Sequence, residues 1–386
     1  MLRGILSKVE KRKKAYMLEV KLIIFRLTTA LRQPVLLFFL WGRPSAQELM
    51  SFCYQFAALL NAGITVVGGL VILEKQAGNP RLKHGLRAVA SRVEYGHSLT
   101  EALAQEQKVF SPFFVGMVDA GETGGFLDET MLRLGLHYEI KNDLEKKIKG
   151  ATAYPKFVLL VILGVVVFLL TFVMPSFAGT FASMGVEAPL PTRVLISIGE
   201  GMRTYWHFVL TGGATVYIVF YAMLKLEKVG YYADHLRLRV PLFGLLERKV
   251  MVAKFCRTLS TLLGSGVGLL VALELAKNVV ANRVYAERIG AMEGSIIRGE
   301  SVAATLTAAS IFPLFVTGMV DVGEQSGKLE EMLSRAADLY ESDVNYVVDR
   351  LGSMLEPALV IFLALVVGGI VLSVFLPLFG VFDLYL

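Results

Sequence analysis

One glycine-rich segment contains the residue types of a phosphate-binding loop. Gly323-Glu324-Gln325-Ser326-Gly327-Lys328-Leu329 places two glycines ahead of a lysine. A P-loop needs four residues between these glycines, and a Ser or Thr after the lysine to hold magnesium. Here three residues intervene and Leu329 follows Lys328, while an earlier copy of the segment has Phe126 at the lysine position. The segment therefore does not predict a nucleotide site.

Carboxylates around the earlier copy have oxygen atoms that could bind calcium. Glu122, Asp128 and Glu129 lie close together in the sequence. Acidic residues are also favoured at the positive end of a helix, and we prefer this explanation while leaving a calcium site open. The five histidines have no metal-ligand spacing, and no serine has the context of an activated nucleophile. Apart from that open calcium site, we predict no cofactor, no metal site and no enzymatic activity.

The glycine-rich segment belongs to a long internal duplication. Residues 116–127 and 318–329 share eight of twelve residues, and related residues occur at a similar separation on both sides. A duplication of this length predicts two similar modules. The repeated positions that we single out as structural or partner-contact residues are Gly63 with Gly266, Gly121 with Gly323, Glu122 with Glu324, Gly125 with Gly327, Leu127 with Leu329, and Pro155 with Pro357.

Two explanations of the repeated Gly-Glu pair remain open. We expect Gly121 and Gly323 to lie where a helix ends, with the glutamate next to each favouring the positive end of the next helix. The alternative is that these residues contact a partner. Cys53 and Cys256 are also equivalent positions. We expect them to be small buried core residues rather than a disulfide.

Composition predicts a membrane protein. Of the 386 residues 55% are hydrophobic, and the mean hydropathy is +0.59. Three runs without Asp, Glu, Lys or Arg are long enough to cross a bilayer, which needs about 20 apolar residues. They are Phe157–Met174, Tyr205–Leu224 and Ala358–Leu376.

The basic residues predict the orientation of these spans. Of 39 Lys and Arg, 21 precede residue 155 and 15 lie in residues 225–350, whereas only Arg193 and Arg203 fall between the first two spans. Because Lys and Arg accumulate on the cytoplasmic side, the amino terminus and both repeats should be cytoplasmic and the carboxyl terminus external. The net charge of +6 surrounds the spans. It predicts contact with membrane lipid and no nucleic-acid binding.

Each repeat has the pattern of a bundle of short helices. In the first copy the predicted helices run from Ser45 to Asn61, Thr65 to Gly78, Arg81 to Tyr95, Ser98 onward, Ser111 to Gly121 and Phe126 to Lys149. No stretch alternates at the period of a strand. The predicted fold class is an all-α membrane protein with two homologous cytoplasmic six-helix bundle domains plus three transmembrane helices.

The predicted segments follow from these patterns. Residues 1–44 form a basic, amphipathic segment on the inner membrane surface. The others are repeat 1 (45–152), a transmembrane helix (155–175), an external loop (176–204), a transmembrane helix (205–225), repeat 2 (226–354), a transmembrane helix (357–377) and an external tail (378–386).

Several motifs, in order, closely resemble the GspF/PilC family. They are Phe255-x-Arg257-Thr258-Leu259, Val322-Gly323-Glu324-x-x-Gly327-x-Leu329, Glu356-Pro357 before the last span, and Leu376-Pro377-Leu378-Phe379 at its end. The resemblance extends from about residue 46 to the carboxyl terminus. The first repeat departs from it, because Cys53-Tyr54-Gln55 stands where the family usually has an arginine motif.

The resemblance implies a platform protein without catalysis of its own, in the inner membrane under a type IV pilus or a type II secretion pseudopilus. The implied partners are a hexameric cytoplasmic assembly ATPase, a pilin or pseudopilin, other inner-membrane platform components and further copies in a homo-oligomer. A transporter or a membrane enzyme is the alternative, but the spans have no charged pathway. Pilus biogenesis, protein secretion and DNA uptake are not distinguished, nor is the repeat that contacts the ATPase.

Overall fold

The computed structural model describes residues 42–177, 179, 190–241 and 243–385. All regular structure in these ranges is helical, which confirms the predicted all-α class. The chain divides after Ile140 into two compact units. The predicted membrane-surface segment lies outside the described residues up to residue 41, as does most of the expected external loop before residue 190.

Six helices form the first repeat, as predicted. They are α1 (Ala46–Asn61), α2 (Val66–Gln76), α3 (Pro80–Glu94), α4 (Leu99–Ala104), α5 (Pro112–Gly124) and α6 (Leu127–Phe168). Side-chain caps set the starts, because the first N–H groups of a helix have no acceptor within it. Ser45 and Ser98 each form a capping box with a glutamate three residues later. The predicted end of α5 at Gly121 was wrong, since the helix continues to Gly124.

Within the described residues, two helices lie between the repeats, and six form the second repeat. The connecting helices are α7 (Leu190–Lys225) and α8 (Glu227–Arg237). The second repeat contains α9 (Phe243–Gly264), α10 (Leu269–Val279), α11 (Arg283–Ile297), α12 (Val302–Ala309), α13 (Leu314–Ser326) and α14 (Leu329–Tyr385). Asn79 and Asn282, which are equivalent in the duplication, both cap the third helix of their repeat.

The cores of the two repeats use equivalent positions with different side chains. In the first, Phe52, Phe56, Phe110 and Phe114 form an aromatic cluster with ring centroids 4.9 to 6.3 Å apart. The second keeps Phe255 and Phe312, 4.6 Å apart. Its other two positions are the buried aliphatic residues Leu259 and Val316.

The last helix of each repeat continues into an apolar span. Helix α6 passes into a π-helical turn at Leu169–Val173, and the continuous helix, whose later part is apolar, extends over Leu127–Phe177. Helix α14 supplies the other candidate span within Leu329–Ser373. Pro155 and Pro357 therefore lie inside continuous helices rather than at breaks between module and span. The described part of the expected tail after residue 377 is also helical.

Helix α7 corrects the prediction for the connecting segment. Residues 190–204, which we assigned to a loop, are helical. The segments Thr192–Phe208 and Thr211–Leu224 are bent by 64° relative to each other and are apolar enough to form a third span together. Tyr205 has non-helical angles at the kink (φ −112°, ψ 19°).

The first half of α7 packs closely against the spans of α6 and α14. Leu170, Met174 and Ile370 form the buried centre of this cluster. Thr192 Oγ1 donates a hydrogen bond of 2.6 Å to the carbonyl of Ser373. A Cβ atom on Gly199 would lie 2.0 Å from the carbonyl oxygen of Leu170, in the π-helical turn. Only glycine permits so close a backbone approach, a device common between membrane helices.

Gly199→Ala should disrupt this packing, because the added methyl group meets backbone that cannot move aside. We expect a loss of about 1–3 kcal/mol, the usual cost of overpacking. Thermal unfolding of the purified chain in detergent measures it. Gly201→Ala is the matched control, since a Cβ there meets nothing within 4 Å. Equal melting temperatures for the two variants would contradict the close approach.

Candidate functional site

The Gly-Glu segment of the first repeat connects two helices through a carboxylate. Glu122 lies near the end of α5, and its side chain accepts hydrogen bonds from the backbone N–H groups of Leu99 (2.7 Å) and Thr100 (2.8 Å). It also accepts one from the Thr100 hydroxyl (2.6 Å). These N–H groups belong to the first turn of α4, where no intrahelical acceptor exists. Glu122 therefore caps α4 from another helix.

The second repeat has the same arrangement. Glu324 of α13 accepts hydrogen bonds from the backbone N–H groups of Val302 (3.0 Å) and Ala303 (3.1 Å), at the start of α12. The carboxylates thus lie at a positive helix end, as the residue type suggested. The helix is different from the expected one. Each glutamate caps the preceding short helix and not the long helix that follows it.

Gly121 and Gly323 allow close packing inside the helices rather than ending them. A Cβ on Gly121 would lie 2.3 Å from Thr130 Oγ1 of α6. A Cβ on Gly323 would lie 2.9 Å from the Cα of Leu329, the first residue of α14. The helix ends that we expected at these glycines were therefore wrong. The glycines instead allow α5 and α13, which we call the Gly-Glu helices, to pack against the long helices α6 and α14.

Gly125 and Gly327 end the Gly-Glu helices. Both have left-handed backbone angles (φ +76° and +71°), which glycine adopts without steric cost. The residues around them have changed together between the repeats. In the first, any side chain on Gly124 would overlap the ring of Phe126. The second repeat has Lys328 in place of Phe126. Without the ring, the position of Gly124 can hold a larger residue, Ser326.

The lysine of the second copy is not part of a phosphate cradle. The backbone N–H of Lys328 donates to the carbonyl of Gly323 (2.8 Å), closing the end of α13. Phe126 makes the equivalent bond to Gly121 (3.0 Å). A P-loop requires free N–H groups directed at the phosphates. Lys328 instead lies 3.9 Å from a carboxylate oxygen of Glu331.

The carboxylates considered for calcium are not brought together as a metal site. Glu122 is occupied by the start of α4, and Glu129 pairs with Arg133 at 2.9 Å. Over the described ranges, no group of three His, Cys, Asp or Glu side chains has the geometry to hold a metal ion.

A second contact at equivalent positions was missed by the sequence analysis. In the second repeat Arg257 of α9 donates to both carboxylate oxygens of Glu341 of α14, at 2.9 and 2.8 Å, and also to Asp338. In the first repeat Tyr54 of α1 donates to Glu139 of α6 at 2.5 Å. The tyrosine that departs from the family motif thus keeps the connection between the first and last helices of its bundle. The sequence did contain one signal of this contact, because Glu139 and Glu341 are the same residue type at equivalent positions, 202 residues apart.

The surroundings of these two donors change their proton affinity. Burial alone lowers the pKa of Arg257, but the hydrogen bonds that it donates to Glu341 and Asp338 outweigh burial and leave the pKa above the usual range. Burial, followed by the hydrogen bond to Glu139, raises the pKa of Tyr54 to about 12. Both donors therefore keep their protons throughout the physiological pH range.

The remaining repeated residues have structural surroundings. Gly63 and Gly266 have left-handed backbone angles (φ +79° and +77°) just after the first helix of each repeat. Cys53 and Cys256 are free and buried, which confirms their prediction as core residues. Leu127 and Leu329 are the first residues of the long helices, and both are half-buried.

Comparison with known proteins identifies the repeated unit. Residues 52–175 and 255–377 each match the family described as "Type II secretion system (T2SS), protein F". The chain belongs to this family. The two matched regions begin within α1 and α9 and extend through the first and last apolar spans, so the family unit is a helical bundle together with its own span.

Relatives match over most of both chains. A "Type IV pilus assembly protein PilC" from Myxococcus xanthus is 36% identical over 340 residues, covering 88% of this chain and 82% of the relative. A protein of the same name from Thermus thermophilus is 38% identical over 339 residues, covering 88% and 83%. A "Type II secretion system protein F" from Aeromonas hydrophila is 35% identical over 338 residues, covering 86% of each.

Removing either capping carboxylate should loosen the short helix that it caps. We expect Glu122→Ala to cost about 1–2 kcal/mol locally, the usual value of a helix cap. Glu324→Ala should cost less, because Glu324 makes fewer and longer hydrogen bonds. Hydrogen exchange of the backbone amides of α4 and α12 in the full chain measures the loss. Thr123→Ala, an exposed neighbour, should leave the exchange of α4 unchanged. Unaltered exchange in both glutamate variants would refute the capping role.

The two thiols should not react in the folded chain. Burial raises the pKa of Cys53, and it raises the pKa of Cys256 to about 12. Both are therefore protonated and inaccessible at pH 8, and only the thiolate is nucleophilic. We expect no maleimide labelling of native membranes and two labels after denaturation in detergent, counted by mass spectrometry. Labelling of native membranes would contradict the buried placement.

Proposed function

We propose that this chain is an integral inner-membrane platform protein of a type IV pilus or type II secretion machine. It would couple a hexameric cytoplasmic assembly ATPase to the movement of pilin or pseudopilin out of the membrane. The observation that carries the proposal is the similarity, over 88% of the chain, to proteins named for type IV pilus assembly. Similar identity to a type II secretion protein keeps both machines within the proposal.

The long helices suit such coupling. The helices Leu127–Phe177 and Leu329–Ser373, each of which ends in an apolar span, contain 51 and 45 residues. At 1.5 Å per residue each is roughly 70 Å long, more than twice the thickness of the hydrocarbon core. Each begins at a Gly-Glu segment and ends in the span of its family unit. Within the second unit, a displacement applied at the start of α14 would therefore be carried along one continuous helix into its span.

The predicted orientation supports an ATPase-facing role for the repeats. Both repeats carry the basic residues expected on the cytoplasmic side, and in both the span follows the bundle in the sequence. The chain must then return across the membrane between them. This requirement favours the bent helix α7 as one broken span over a re-entrant loop, with the amino terminus cytoplasmic and the carboxyl terminus external.

Reporter fusions test this topology. Fusions at residues 100, 190, 300 and 386 should report inside, outside, inside and outside, because only a crossing by α7 places both repeats on the basic side. As a control, the reporter activity of each fusion is divided by the amount of that fusion protein in whole cells. A fusion at residue 300 that reports outside would overturn both the topology and the ATPase-facing role.

The purified chain should not hydrolyse ATP. Its lysine-containing segment closes a helix end, so hydrolysis belongs to the partner. We expect nucleotide binding and phosphate release at the level of a detergent blank, for the parent chain and for Lys328→Ala alike. Binding that disappears in Lys328→Ala would contradict the proposal. A clean deletion, scored for surface filaments and for secreted proteins, then separates pilus assembly from secretion.

A further inference from the structure

Each Gly-Glu helix carries two charged residues, at the same positions in both repeats. Helix α5 has Asp119 and Glu122, and α13 has Asp321 and Glu324. The glutamates are explained by the helix ends that they cap. The aspartates are exposed, and within the part of the chain that the structure describes neither makes a hydrogen bond or an ion pair.

Most other residues shared by the two segments have a role within the fold. Val118 and Val320 are buried, and the repeated glycines pack against the long helices or end their own helix. Gly318 is an exception, because a Cβ there would meet nothing within 4 Å. Gly318 lies one turn before Asp321, so both lie on the outer face of α13. The exposed aspartate position, which the fold does not use, is thus present in both copies, whereas the glycine one turn before it is exposed in the second repeat and half-buried, as Gly116, in the first.

In the second repeat this face also exposes apolar side chains. Leu314 is 84% exposed and Val322 55% exposed. With Gly318 they recur every four residues, which places them in a single stripe along the helix. The first repeat has Pro112 and Ala120 at the positions of the two large side chains. The second repeat therefore presents the larger apolar surface beside its unpaired carboxylate.

We propose that Asp321, Gly318, Leu314 and Val322 form a docking surface for a Lys or Arg side chain, flanked by apolar residues, on the assembly ATPase. Asp119 and its surroundings form a smaller, weaker counterpart. The inference rests on the proposed function. Charge complementarity selects a basic protein surface and disfavours the anionic inner leaflet, which repels a carboxylate. The bare Cα of Gly318 lets the partner approach the helix backbone next to the aspartate.

The test is the affinity of the full chain in detergent for the purified ATPase, measured by biolayer interferometry at two salt concentrations. Asp321→Asn keeps the shape and removes the charge, and it should weaken binding about tenfold, a typical value for a charge pair at an interface. Asp119→Asn should weaken binding less. The affinity of the parent chain should fall with salt more steeply than that of Asp321→Asn. Glu300→Gln, which removes another exposed carboxylate of the second repeat, should bind like the parent chain.

The outcomes separate this inference from the function on which it rests. No binding by the parent chain would overturn the proposed function, and the docking surface with it. Binding by the parent chain that the double variant Asp119→Asn/Asp321→Asn retains in full would overturn the docking surface alone. If Asp321→Asn formed a smaller oligomer than the parent chain but bound the ATPase with the same affinity, this face would belong to the contact with a second copy of the chain. That result would overturn its assignment to the ATPase. An unchanged melting temperature of Asp321→Asn verifies its fold.

Discussion

The start of a short helix needs acceptors that the helix itself cannot supply, and each bundle meets this need with a carboxylate from another helix. Glu122 reaches back 22 and 23 residues to the first turn of α4, and Glu324 does the same for α12 over 21 and 22 residues. An isolated helix of six to eight residues is unstable in water. The short helix, the Gly-Glu helix and the long helix behind it are therefore held as one group.

Glycine then determines how closely this group can pack. At Gly121 and Gly323 the missing side chain lets the Gly-Glu helix approach the long helix, and at Gly199 it lets a connecting helix touch the backbone of a span. The same chemistry thus serves the helical bundles and the membrane region. It does so for different reasons, because burial of apolar surface drives packing only in water, whereas close van der Waals contact has to suffice in lipid.

Periodicity and capping residues predicted the helices of the first repeat well, because each start depends on a local side chain such as Ser45 or Ser98. They failed where tertiary contacts decide. Gly121 was expected to end a helix, yet Gly125 does so, since two nearby glycines offer the chain two possible stops. The partner of Glu122 lies more than twenty residues earlier, and only the folded bundle brings the two together.

The connecting segment and the polar pairs show the same limit. Residues 190–204 were assigned to a loop because they lie between two predicted spans, but they form a helix that is stabilised by the spans beside it. The contact between Tyr54 and Glu139 was hidden because a tyrosine occupies the arginine position. A tyrosine hydroxyl and an arginine guanidinium can both donate a hydrogen bond to a carboxylate, although the two residue types look unrelated in the sequence.

The two long helices also meet at equivalent residues, and this has a consequence for how the duplication could evolve. Lys147 and Asp349 are 202 positions apart, the separation of the repeats, and their charged groups lie 3.7 Å apart. A symmetric pair of separate single-repeat chains would place identical residues opposite each other there, lysine against lysine or aspartate against aspartate, and like charges repel. Joining the copies in one chain removes that identity. The two equivalent positions can then mutate independently, and opposite charges become possible where a symmetric homodimer would have identical residues.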